Sequence, residues 1–122
     1  MRKVLVVDDE RGITTFIKKL LSRWPEKYSI TIANNGLDAI KIAEDIIPDI
    51  IIVDMKLPDI NGHEVSSRIR QNEKMKHTKI LAMSGYIIPE NEDHILSCGA
   101  DAYISKPFDI SAFLNKLKGL EA

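Results

Sequence analysis

Two hydrophobic patterns alternate along the chain. Short apolar runs recur within residues 3–7 (Val4-Leu5-Val6-Val7), within 50–54, where Ile50-Ile51-Ile52-Val53 ends in Asp54, and within 79–84 (Ile80-Leu81-Ala82-Met83). A strand apolar on both faces is expected where helices cover both sides of a parallel sheet. Between these runs the spacing becomes helical. Ile13, Phe16, Ile17, Leu20, Leu21 and Trp24 form one stripe, which predicts a helix over residues 11–24 stopped by Pro25. Residues 28–33 alternate as a second strand, and Asn35 is placed to cap a helix running to about residue 47. Residues 62–71 predict a shorter helix with Val65 and Ile69 facing inward. Residues 89–98 predict a short polar helix with Gly99 at its C-cap, and residues 102–104 a brief fifth strand. Asp109 then caps a last helix carrying Ile110, Phe113, Leu114, Leu117 and Leu120 on one face. Strand and helix alternate five times, so the expected fold is α/β: one parallel sheet, both faces covered, joined by right-handed crossovers.

Composition narrows the class. With 122 residues, 44% apolar and 29% charged, the chain suits one globular domain over residues 1–122. A net charge of -1 gives no footprint for nucleic acid or a membrane surface. No apolar run approaches a membrane span, and Met1-Arg2-Lys3 is followed by only four apolar residues before Asp8-Asp9-Glu10, unlike a signal peptide. Cys98 is the single cysteine, which allows no internal disulfide and fits a reducing cytoplasm. Its simplest reading is a small residue of the core.

Candidate chemistry collects where the parallel strands end. Open α/β sheets place their ligands at the carboxyl ends of strands. Asp8 and Asp9 follow the first strand, Asp54 ends the third, Ser84 ends the fourth and Lys106 follows the fifth. Clustered carboxylates repel one another, and a hard cation such as magnesium is the natural compensation. His63, His77 and His94 lie in separate segments without ligand spacing, so zinc is not expected. Each of these features is weak alone; their placement on four different strands is specific.

The pattern resembles the receiver domain of two-component response regulators, from Lys3 to about Leu117. The resemblance rests on Val4-Leu5-Val6-Val7-Asp8-Asp9-Glu10, Ala33-Asn34-Asn35-Gly36, the stretch from Asp54 through Pro58 to Gly62, Met83-Ser84-Gly85, Gly99-Ala100-Asp101-Ala102-Tyr103 and Lys106-Pro107-Phe108. It implies a flavodoxin-like, doubly wound sheet of order 2-1-3-4-5, the order found in flavodoxin and in chemotaxis receivers. It implies that Asp54 is the phosphoacceptor. Asp8, Asp9, Asp54 and the backbone carbonyl of Lys56 would hold Mg²⁺, with Mn²⁺ as an alternative, Asp9 directly and Asp8 partly through water. Ser84 and Lys106 would bind phosphoryl oxygens, Ser84 and Tyr103 would form a switch, and the Lys106-Pro107 bond would be cis. The implied partners are a histidine kinase or phosphotransfer domain and a downstream protein target or fused output domain, without direct contact to nucleic acid or membrane. The expected state is a cytoplasmic monomer or a weak phosphorylation-dependent dimer. Its catalysis would be limited to its own phosphorylation and dephosphorylation.

Three features add detail. Lys56 and Tyr86 flank the expected route of a hydrolytic water and would lengthen the life of the acyl phosphate; the same two residue types occur in single-domain phosphorelay receivers, which the chain also resembles, and the plainer reading leaves both facing solvent. Gly12 clears space for a partner helix or is tolerated in a frayed first turn. The output would be a changed affinity on the face formed by the 89–98 helix, the fifth strand and the last helix, beside Ile87 and Ile88.

Three other functions fit less well. An aspartyl-phosphate phosphatase of the haloacid-dehalogenase type needs an acid two residues after its nucleophile, where this chain has Lys56, and usually a cap segment. A nucleotide-binding module needs a glycine-rich turn after the first strand, where this chain has Asp8-Asp9-Glu10-Arg11-Gly12. A degenerate receiver serving only as a scaffold would not need a complete acidic site. No output domain is visible, so the receiver is expected either to act alone or to be part of a longer protein.

Overall fold

A computed structural model describes residues 1–85 and 99–121. The elements are β1 (Arg2–Val7), α1 (Arg11–Leu21), β2 (Tyr28–Ala33), α2 (Gly36–Ile46), β3 (Ile50–Asp54), α3 (Gly62–Gln71), a 3₁₀ turn (Glu73–Met75), β4 (Lys79–Ser84), β5 (Ala102–Ser105) and α4 (Ile110–Glu121). The five strands form one parallel sheet in the order β2-β1-β3-β4-β5. The expectations for a helix over residues 89–98, and those for Tyr86, Ile87, Ile88 and Cys98, lie outside the described residues.

The sheet separates two apolar layers. On one face Leu5, Val7, Ile51, Val53, Ile80 and Ala82 pack with Ala39 and Ala43 of α2 and Val65 and Ile69 of α3. On the other face Val4, Val6, Ile50, Ile52, Leu81 and Met83 pack with Ile17 and Leu21 of α1 and Phe113 and Leu117 of α4. Successive residues of a strand point to opposite faces, so β3 feeds both layers and all five of its residues are buried. Each fully buried Val or Ile contributes about 1.5–3 kcal/mol, so β3 anchors both layers of the scaffold.

The helical stripe read from residues 11–24 needs correction. The helix ends at Leu21: Ser22 turns its hydroxyl back to the Lys18 carbonyl at 2.6 Å, and the Trp24 amide closes a tighter turn onto Leu21. Phe16 and Trp24 are 38% and 39% exposed, while Thr14, which the apolar stripe omitted, is buried. On the last helix Ile110 is likewise exposed, whereas Phe113, Leu117 and Leu120 are buried. Residues 28–33 alternate poorly in burial because β2 is an edge strand.

Helix boundaries have local causes. Asn35 accepts the Asp38 amide and Asn61 accepts the Glu64 amide, each satisfying a free N–H of a first turn. The loop after β3 adds a second device: the Asp59 carboxylate accepts the Gly36 and Leu37 amides at 2.8 and 2.9 Å. Asp109 accepts the Ala112 amide at 2.7 Å and starts α4. At the other end of α2, Ile47 adopts φ 47°, a left-handed conformation usually left to glycine. Gly99 has φ 108°, and a side chain there would also strike Arg70. Arg70 of α3 donates to the Gly99 carbonyl at 2.8 Å and pairs with Asp101.

Candidate functional site

The pleat determines which side chains meet at the carboxyl rim. Counting by twos from Val4 and Val6 reaches Asp8, from Ile50 and Ile52 reaches Asp54, and from Ala102 and Ile104 reaches Lys106. All three therefore continue rows that face the α1/α4 layer, although they come from three different strands. Their side chains converge: Lys106 Nζ lies 2.7 Å from Asp8 Oδ2, 3.2 Å from Asp54 Oδ2 and 3.6 Å from Glu10 Oε1.

Asp8 is fully buried and Asp54 is 5% exposed. The Glu10 amide donates to Asp8 Oδ1 at 2.9 Å, and the Lys56 amide donates to Asp54 Oδ1 at 3.2 Å. Burial pushes the Asp54 carboxyl above its usual range; the Lys56 amide and Lys106 pull it back, and the charge of Asp8 adds to the rise. Burial alone would make Lys106 easier to deprotonate, but its hydrogen bond to Asp8 and the charges of Asp54 and Asp8 outweigh that and raise its pKa. The ammonium is thus held charged between two buried carboxylates. A cavity of about 300 Å³ opens above them, lined by Asp9, Glu10, Asp54, Lys56, Leu57 and Pro58.

The other expected residues take distinct places. Asp9 is exposed and lines the cavity, but the three carboxylates whose oxygens lie within 4.8 Å of one another are Asp8, Glu10 and Asp54. Glu10 is the member that sequence reasoning passed over; the available signal was simply a third acid in the run from Asp8 to Glu10. Ser84 is half-buried at the end of β4, and its carbonyl accepts the Lys106 amide at 2.7 Å. Tyr103 is half-buried against the α2/α3 layer, with Lys116 Nζ 5.5 Å from its ring centroid. The Lys106-Pro107 bond is cis. Gly12 faces open space, where an added Cβ would meet nothing within 4 Å.

The sequence from residue 4 to residue 118 matches the response regulator receiver domain. The chain belongs to that family. This receiver is 27% identical to the polar-differentiation response regulator DivK of Brucella anthropi over 117 residues, 96% of this chain and 94% of the relative. It is 33% identical to part of histidine kinase P4 of Formosa agariphila, covering 96% of this chain but 8% of that protein. Chemotaxis response regulator CheY4 of Vibrio cholerae superposes with a TM-score of 0.91 at 29% identity, covering 98% of each chain. A CheY-like receiver domain protein from Methanospirillum hungatei superposes with a TM-score of 0.88 at 30% identity, covering 99% of this chain and 94% of that one. The receiver is therefore a signalling switch of two-component systems, a class that works with histidine kinases and output targets. The phosphatase alternative is not favoured. Among the described residues, no helix is long and apolar enough to cross a membrane.

Proposed function

We propose that Asp54 accepts the phosphoryl group of a phosphohistidine on a histidine kinase or phosphotransfer domain. The observation that carries this reading is Lys106 Nζ seated between Asp8 and Asp54 beneath an open cavity. In the reaction an Asp54 carboxylate oxygen bonds to phosphorus, the P–N bond breaks, and its electron pair returns to the imidazole nitrogen. Lys106 pairs with a phosphoryl oxygen as the negative charge of Asp54 is replaced by that of its phosphate. Ser84 donates its hydroxyl to another.

The Asp8 and Asp54 carboxylates lie within 4.8 Å of each other and Asp9 lines the cavity over Asp54, a donor set that fits a hard divalent cation. Asp8, Asp9, Asp54 and the Lys56 carbonyl would hold Mg²⁺ or Mn²⁺, which when bound supplies positive charge opposite the phosphoryl oxygens. Lys56 is exposed at the cavity wall, where its side chain, together with Tyr86, would slow the approach of water. Ser84 drawn toward the phosphoryl group makes room for Tyr103, and the output is a changed protein affinity on the β5/α4 side. We infer a cytoplasmic receiver spanning residues 1–122 that catalyses only its own phosphoryl chemistry.

Acetyl phosphate with Mg²⁺ tests the assignment. Intact-mass spectrometry is expected to show one phosphoryl adduct on the parent protein and none on Asp54→Asn. An undiminished adduct on that variant would overturn it.

A further inference from the structure

Glu10 is the one member of the carboxylate group that stands in solvent: its side chain is 65% exposed, yet its Oε1 lies 3.6 Å from Lys106 Nζ. It lines the same cavity as Lys56, Leu57 and Pro58. It is also the N-cap residue of α1, but its side chain makes no capping hydrogen bond. The backbone does that work, the Glu10 carbonyl accepting the Ile13 and Thr14 amides. The carboxylate is therefore not needed to start the helix.

We propose that Glu10 determines donor specificity, setting the mouth of the site against small, free phosphodonors. The inference rests on Asp54 being the phosphoacceptor. A phosphodonor entering this cavity brings negative charge close to Glu10, and Glu10 also draws on the charge of the Lys106 ammonium. A free acyl phosphate has little besides its phosphoryl group with which to bind, so this repulsion weakens its binding directly. A phosphohistidine carried on a protein has contacts remote from the phosphoryl group to offset the same repulsion. Because Glu10 is exposed, its effect is modest and is screened by salt.

The test compares the parent, Glu10→Gln and Glu10→Asp with acetyl phosphate as donor, after the Mg²⁺ affinity of each has been measured by calorimetry so that all are assayed at saturating cation. Phosphorylation at low ionic strength is expected to be about fivefold more efficient in Glu10→Gln, equivalent to about 1 kcal/mol. The gain should appear as a lower KM rather than a higher kcat, shrink at 0.5 M salt (about a 4 Å screening length), and be smaller for phosphoramidate, which carries less negative charge at neutral pH. Glu10→Asp, which keeps the charge, is expected to stay close to the parent. An unchanged KM in Glu10→Gln, a gain that survives high salt, or an equal gain in Glu10→Asp would overturn the proposal. Those outcomes would leave Asp54 standing as acceptor provided that the adduct still disappears in Asp54→Asn; an adduct that persists there would instead overturn the underlying assignment.

Discussion

The burial of Asp54 comes at a cost to folding. Burial holds its carboxyl above the ordinary range, and Asp8 adds to the rise. A carboxyl whose folded pKa is raised contributes stability that is complete below its unfolded value, about 3.9, and is lost as pH rises through the folded pKa. Asp54→Asn removes that loss. In the presence of a chelator at neutral pH, the variant is expected to melt above the parent. The advantage should fade as the pH falls through the folded pKa toward the unfolded value, about 3.9. Thermal melts across pH check both the sign and the window. That Asp8 and Asp54 meet at one rim was legible because each directly follows an apolar run; the nearness of Glu10 was not, because which of three consecutive acids turns toward Lys106 depends on how the backbone bends after β1.

At the scale of the element, two devices govern α2. Residual desolvation works against ionisation of Asp59, but the Leu37 and Gly36 amides outweigh it and depress its pKa. A depressed carboxyl contributes stability that is present above its unfolded pKa and lost as pH falls through the folded one. Asp59→Ala is therefore expected to lower the melting temperature at neutral pH and to converge with the parent in strong acid. At the C-terminus, Ile47 accepts a left-handed conformation costing about 1–2 kcal/mol while its half-buried side chain packs on the α2/α3 layer. Ile47→Gly relieves the strain and forfeits the packing, so urea unfolding should show a net change within about 1 kcal/mol. By contrast Ile69→Ala, in a fully buried and relaxed helix position, is expected to cost about 2–5 kcal/mol. The Asn35 cap was readable because donor and acceptor are three residues apart. The Asp59 contact spans 22 and 23 residues, and no local pattern announces it. The length of α1 was overread for a related reason: Trp24 keeps the helical spacing after the backbone has already turned at Ser22.

Across the whole molecule, the alternating strands and helices were enough to anticipate a parallel sheet with two covered faces, and the family resemblance supplied its order. What the pleat adds is a parity rule: Asp8, Asp54 and Lys106 are each an even number of residues beyond core positions of the same layer. Parity makes chain length, rather than residue identity, the most fragile property of the site. One alanine inserted between Ile51 and Ile52 leaves every functional residue in the sequence but turns the last part of β3 over, sending Asp54 toward α2 and α3 or forcing a bulge. Such a variant is expected to lose the phosphoryl adduct, whereas one residue added to the turn between α1 and β2 should retain it, with circular dichroism confirming the fold in each case. Insertions tolerated in turns and rejected in strands would leave a two-residue punctuation along the chain, a record of the site written in spacing that substitution experiments alone would never read.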